Sequence, residues 1–247
     1  MAHTTKNHSE TRSIGRIIPN ALTLGNLLFG VAALGVALSG RPLWLAAAFV
    51  GLALICDLFD GRAARHFGAD NAFGAQLDSL ADLVSFGVAP ALTLYAWKLD
   101  AAGPLGWLAV GALVAAAGLR LAKFTVQAGG PKSAKPAGPA RFSGLAVTIP
   151  AAIGLGAVAA DLPISPRVAA LASIGLAALM VSRFAYRSFK DRSVAFIVAP
   201  AAVLMVAAVL STGSLVVGLG LAAVWGGVAY ALSAPVSRVW RHMVADI

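Results

Sequence analysis

Residues 57–82 read DLFDGRAARHFGADNAFGAQLDSLAD and place Asp57, Asp60, Asp78 and Asp82 at the facing ends of two otherwise apolar stretches. Asp57 and Asp60 are three residues apart and Asp78 and Asp82 four apart, so on helices each pair projects from one face. A carboxylate within a membrane-spanning helix costs about 2.5–3.5 kcal/mol on insertion scales, so four together require a compensating partner. An oxygen-rich cluster suits a hard divalent cation such as Mg²⁺ or Mn²⁺, which usually also touches a substrate phosphate. Residues 61–68, small and basic, read as a short connection between the two helices. The plainer alternative, polar helix ends facing water, accounts for the charges but not for their spacing.

Working outward, the chain has 247 residues that are 59% hydrophobic, with a mean hydropathy of +0.83, far above a soluble domain. Apolar runs of about 20 residues between short charged links predict an all-α integral membrane protein, since each helix satisfies its own backbone. The alternation of a membrane barrel is missing. About eight transmembrane helices are expected, over residues 19–38, 43–65, 73–97, 105–124, 142–160, 168–184, 194–210 and 215–232. Residues 1–18 form a cytoplasmic segment, disordered over 1–10, in which 11–18 is either a helix on the membrane surface or simple flanking charge. Residues 19–233 are the transmembrane domain, with its first span retained rather than cleaved, and 234–247 a cytoplasmic tail.

The net charge of +9 would suggest nucleic acid as a partner in a soluble protein. Topology explains it better here. With the amino terminus inside, only Arg41, Lys98 and Arg167 of the nineteen basic residues fall on the outer side, a positive-inside pattern that puts the acids on the cytoplasmic face of the cell membrane, the inner membrane of a bacterial source. The lone Cys56 reads as helix packing.

The full spacing, Asp-x-x-Asp-Gly-x-x-Ala-Arg-x8-Gly-x3-Asp-x3-Asp, is carried by Asp57, Asp60, Gly61, Ala64, Arg65, Gly74, Asp78 and Asp82. It resembles the signature of the CDP-alcohol phosphotransferases. The resemblance implies that core within the membrane domain, and two Mg²⁺ or Mn²⁺ ions on Asp57, Asp60, Asp78 and Asp82, with Asp82 also the general base. It implies room for the cytidine nucleotide at Gly61, Ala64 and Gly74, diphosphate binding by Arg65, and a homodimer. An alcohol attacks the CDP-linked substrate and CMP leaves.

Asn20, Thr23 and Asn26 recur at every third residue of the first span, so they either reach the acidic site as part of the nucleotide pocket or bond a neighbouring helix. Arg120 and Lys123 share a face at the end of the fourth span, where they either hold an anion or only serve the charge bias. Residues 127–139 form a Gly/Pro/Lys-rich loop that reads as a mobile cover, and Arg141 after it is a further anion-binding candidate. The Pro-Asn start, the run LDSLADLVSFGVAPALTLYAW (77–97) and MVSRFAYRSFK (180–190) resemble the phosphatidylserine synthases of the family over most of residues 17–192. That implies CDP-diacylglycerol and serine as substrates, among membrane lipids. Lys123 and Thr125 stand where that group commonly carries Arg and Asn, and Ala146 where it carries Pro. Glycerol phosphate or inositol phosphate remain alternative acceptors. An ion or proton transporter would need polar groups continuing through the outer halves of the second and third spans, which are almost uncharged. A lipid-binding scaffold explains the basic loops and not the acids.

Overall fold

The structure is a computed structural model and describes residues 3–68, 72–128, 142–186, 209, 211 and 213–245. The expected span at 194–210 lies almost wholly outside these residues. Among those described, five helical stretches are long and apolar enough to cross a membrane, and the helices Thr148–Ala159 and Pro166–Val181 are shorter apolar ones. Many large apolar side chains face outward, Leu28, Ile55 and Trp107 among them, as expected where hydrocarbon and not water is the solvent.

The first helix, α1 (His3–Leu38), starts within the segment expected to be disordered and runs unbroken through Pro19. Proline removes one backbone donor, a loss that a membrane helix accommodates through neighbouring side chains. Thr23 sits one turn on, its hydroxyl 3.0 Å from the Pro19 carbonyl. The second helix, α2 (Trp44–Phe67), packs along α1. It also corrects an expectation, because residues 61–67 continue the helix and do not form a connection. Ala and Arg sustain helix well, and the stop comes only at Gly68, whose left-handed φ of 59° lets its N–H cap the carbonyls of Ala64 and Arg65.

The third, α3, spans Ala72–Ala102 and is irregular by design of its sequence. Immediately beyond Asp82 the backbone widens into a π-type turn, Leu83–Val88, in which the Ala89 N–H reaches back to the Val84 carbonyl. Pro90 follows, unable to donate a backbone hydrogen bond. Ser85 in this turn donates to the Asn26 carbonyl at 2.9 Å. Gly30 makes room for that approach, since a Cβ there would collide with the Ser85 hydroxyl and stand 2.9 Å from its Cα.

The remaining helices complete the bundle. α4 (Pro104–Ala128) packs on α6 (Pro166–Val181), and α5 (Thr148–Ala159) on α7 (Leu215–Ala245). Gly156 and Gly220 touch at that second seam, where a Cβ on either would lie 2.6 Å from the other's carbonyl oxygen. A two-residue strand, β1 (Phe142–Ser143), pairs antiparallel with β2 (Ala185–Tyr186), tying the entry of α5 to the exit of α6.

Candidate metal and phosphate site

The acidic stretch folds so that α2 and α3 present their carboxylates to one another. Asp57, Asp60 and Asp78 each offer an oxygen within 4.8 Å of the others, with Asp60 buried and the other two half-buried. Asp82 stands outside that set, one turn further along α3. Its Oδ1 accepts a 3.0 Å hydrogen bond from Asn26 Nδ2. Thr23 stands 2.8 Å from Asp60 Oδ2. Its hydroxyl has one proton, so Asp60 and the Pro19 carbonyl compete for it, and the shorter contact to a charged acceptor is the stronger.

Two of the three polar residues on α1 therefore bond the acids directly. Asn20, one turn before Thr23, is only half-buried. Asp78 Oδ1 and Asn26 Oδ1 are buried without a hydrogen-bond partner among the described residues. A buried, unpartnered carboxylate oxygen is costly. An all-oxygen donor set with one such atom fits a hard divalent cation, so Asp57, Asp60 and Asp78 can hold a metal ion.

Around this centre, Gly61 faces Arg65. A Cβ at Gly61 would lie 3.4 Å from an Arg65 guanidinium nitrogen, so the exposed Arg65 side chain folds back along α2 toward the acids. Ala64 and Gly74 are half-buried beside the same helix ends. On α4, Arg120 is half-buried, with its Nε buried and lacking a hydrogen bond among the described residues, and its charge interacts with Asp82 and Tyr230. Lys123 is exposed. Arg141 and residues 129–139 of the expected cover lie outside the described residues.

Three contributors escaped the sequence reading. Thr125, noted only as a departure, meets Ser79 at 2.9 Å and so joins α4 to α3 beside Asp78. Tyr230 on α7 stacks on Tyr186 with ring centroids 5.6 Å apart, and the Tyr186 hydroxyl donates to the Ala231 carbonyl at 3.0 Å. Burial pushes the Tyr186 phenol up to about 12, so it stays a neutral donor at physiological pH. Nothing in the local sequence connects these tyrosines with Arg120; only the packing of α7 does.

Residues 16–179 match the family model described as CDP-alcohol phosphatidyltransferase. The chain belongs to that family. A Bacillus subtilis relative named CDP-diacylglycerol–serine O-phosphatidyltransferase is 34% identical over 176 residues, covering 71% of this chain and 93% of its own. A Mycobacterium leprae protein of the same name is 42% identical over 109 residues, which are 44% of this chain and 36% of that one. The match thus spans only about a third of the mycobacterial relative. An archaetidylserine synthase from Methanothermobacter thermautotrophicus is 32% identical over 172 residues, 68% of this chain and 69% of the relative.

Proposed function

We propose that this chain transfers the phosphatidyl group of CDP-diacylglycerol to L-serine, giving phosphatidylserine and CMP, at a divalent-metal site on the cytoplasmic face of the membrane. The observation that carries the reading is the convergence of Asp57, Asp60 and Asp78 within 4.8 Å, in a chain whose relatives are named for this reaction. Asp57, Asp60, Asp78 and Asp82 would hold the two Mg²⁺ or Mn²⁺ ions that the family likeness implies. When bound, they supply neutralisation of the pyrophosphate and stabilisation of the departing phosphate.

The protein's own groups do the rest. Arg65, folded over Gly61, is placed to grip the pyrophosphate, and the small Gly61, Ala64 and Gly74 leave room for the cytidine nucleotide, with Asn20 at its edge. Asn26 holds Asp82 in one orientation, which sets a carboxylate where the acceptor hydroxyl must lose its proton. The serine oxygen attacks the lipid-side phosphorus, the bond from that phosphorus to the bridging oxygen breaks, and CMP leaves with it. The proton passes to Asp82. A carboxylate is a weak base for a hydroxyl, so its transfer runs late, as the new bond forms. Arg120, whose buried Nε–H has no hydrogen-bond partner among the described residues, is assigned to the serine carboxylate, with Lys123 and Arg141 as outer cations.

The distribution of basic residues supports the cytoplasmic orientation, and the family likeness supports a homodimer, which cross-linking in native membranes would test. Purified protein in detergent, given CDP-diacylglycerol and labelled serine, should yield phosphatidylserine and CMP, and both should vanish on chelation. Turnover with glycerol phosphate or inositol phosphate, and none with serine, would replace the acceptor assignment.

A further inference from the structure

Asn26 is gripped by α3 at two points. Its side-chain Nδ2 donates to Asp82 Oδ1 at 3.0 Å, and its backbone carbonyl accepts from the Ser85 hydroxyl at 2.9 Å. Asn26 and Ser85 are both fully buried. Within an α-helix that carbonyl already accepts from the N–H four residues on, so Ser85 must reach past residue 30 to share it. Gly30 leaves the gap, since a Cβ there would overlap the Ser85 hydroxyl and come within 2.9 Å of its Cα. Ser85 stands in the π-type turn Leu83–Val88, and such turns recur at functional sites because they change which side chains a helix turns toward its neighbour.

The Asn26 amide has little else to steady it. Its Oδ1 is buried without a hydrogen-bond partner, so among the described residues the bond to Asp82 is the amide's single anchor. Where the amide points is therefore set by where its backbone sits against α3, and the Ser85 bond fixes that. We propose that Ser85 is a positioning residue for phosphatidyl transfer: it holds the α1 backbone so that Asn26 keeps Asp82 in one orientation toward the acceptor hydroxyl. The proposal rests on the reading of Asp82 as the group that takes the acceptor's proton. Ser85 acts through Asn26 and needs no contact with either substrate.

A double-mutant cycle in kcat tests this, because residues that act as one unit give losses that do not multiply. Thr93 is the control, an equally buried hydroxyl on α3 that bonds only the Ala89 carbonyl of its own helix, at 2.7 Å. Ser85→Ala should lower kcat about tenfold, equivalent to about 1.4 kcal/mol. The KM values for serine and CDP-diacylglycerol should stay within about twofold of wild type. Ser85→Ala combined with Asn26→Ala should be no slower than Asn26→Ala alone. Thr93→Ala should keep its kcat, although the thermal midpoint, measured in chelator, should fall in both hydroxyl deletions. Gly30→Ala, which keeps the Ser85 hydroxyl and displaces it, should repeat the kcat loss and decides the matter if Ser85→Ala does not fold. Losses that multiply in the double variant, an equal kcat loss in Thr93→Ala, or unchanged kcat in Ser85→Ala or Gly30→Ala overturn the positioning role. Full turnover in Asp82→Asn instead overturns the reading of Asp82, and the role of Ser85 with it.

Discussion

One helix, α3, carries two polar ends that are built to opposite rules. At its far end Lys98 Nζ donates to the carbonyls of Leu162 and Ile164 at 2.6 and 3.1 Å and lies 4.4 Å from the Trp97 ring centroid. The Trp97 indole N–H donates to Asp161 at 3.0 Å, and the Tyr95 hydroxyl to Asp100 at 2.9 Å. Each charge there has a partner. At the near end three carboxylates converge, and Asp78 Oδ1 has no hydrogen bond among the described residues. Satisfied polar groups fix architecture, whereas costly unsatisfied ones persist where a ligand completes them.

The sharpest way to break this contrast is Asp78→Asn. It removes an unpaired charge at the near end, so the thermal midpoint in detergent should hold or rise. Phosphatidyl transfer should fall by about 10³-fold, the equivalent of roughly 4 kcal/mol of lost transition-state stabilisation. Chelator added to wild type should reproduce the loss. Full activity in Asp78→Asn would show that the near end is as architectural as the far one.

Asn26→Ala probes the 3.0 Å hydrogen bond from Asn26 Nδ2 to Asp82 Oδ1. Hydrogen bonds to charged groups contribute about 1.5–3 kcal/mol, so kcat should drop roughly 10- to 100-fold. The KM for CDP-diacylglycerol should barely move, because Asn26 positions Asp82 and does not hold the lipid. An equal change in both parameters would make Asn26 a binding residue instead.

At the far end the signs reverse. Lys98→Met removes the donor to both carbonyls, of which Leu162 keeps the Ile164 N–H at 2.8 Å, and should lower stability by about 1–3 kcal/mol, read as a reduced thermal midpoint. Its kcat should match wild type. A variant with normal stability and impaired turnover would mean that the two ends of α3 are coupled.

The near end was far more legible in the sequence than the far end. Carboxylates in an apolar stretch are conspicuous because lipid makes them expensive, and period-three polar residues on α1 disclosed Thr23 and Asn26. What stayed hidden depended on partners distant in the chain. The continuation of α2 through residue 67 is decided by the capping glycine at 68, whereas the sequence reading ended the span near Arg65 and took 61–68 for a connection. The π-type turn after Asp82 follows from Pro90 eight residues on. Likewise, Asn26 bonds Asp82, a contact that no spacing within residues 57–82 announces. At the far end, the lone Lys98 gave no periodic signal, since its acceptors are carbonyls of a loop 64 and 66 residues away.

Thr125 offers the finest adjustment. It departs from the residue common among the serine-accepting relatives it resembles, yet its hydroxyl meets both Ser79 at 2.9 Å and the Leu121 carbonyl at 2.9 Å. One hydroxyl thus ties the end of α4 to α3 beside Asp78, on the helix that also carries Arg120. Thr125→Val keeps the shape and deletes the bond, a loss of about 0.5–1.5 kcal/mol. If the bond aligns Arg120 with the acids, the KM for serine should rise about threefold while the KM for CDP-diacylglycerol and the thermal midpoint stay close to wild type. If it serves architecture alone, as the contacts around Lys98 do, the midpoint should fall and both KM values should hold, which would move the boundary between the two kinds of polar contact inward to Ser79.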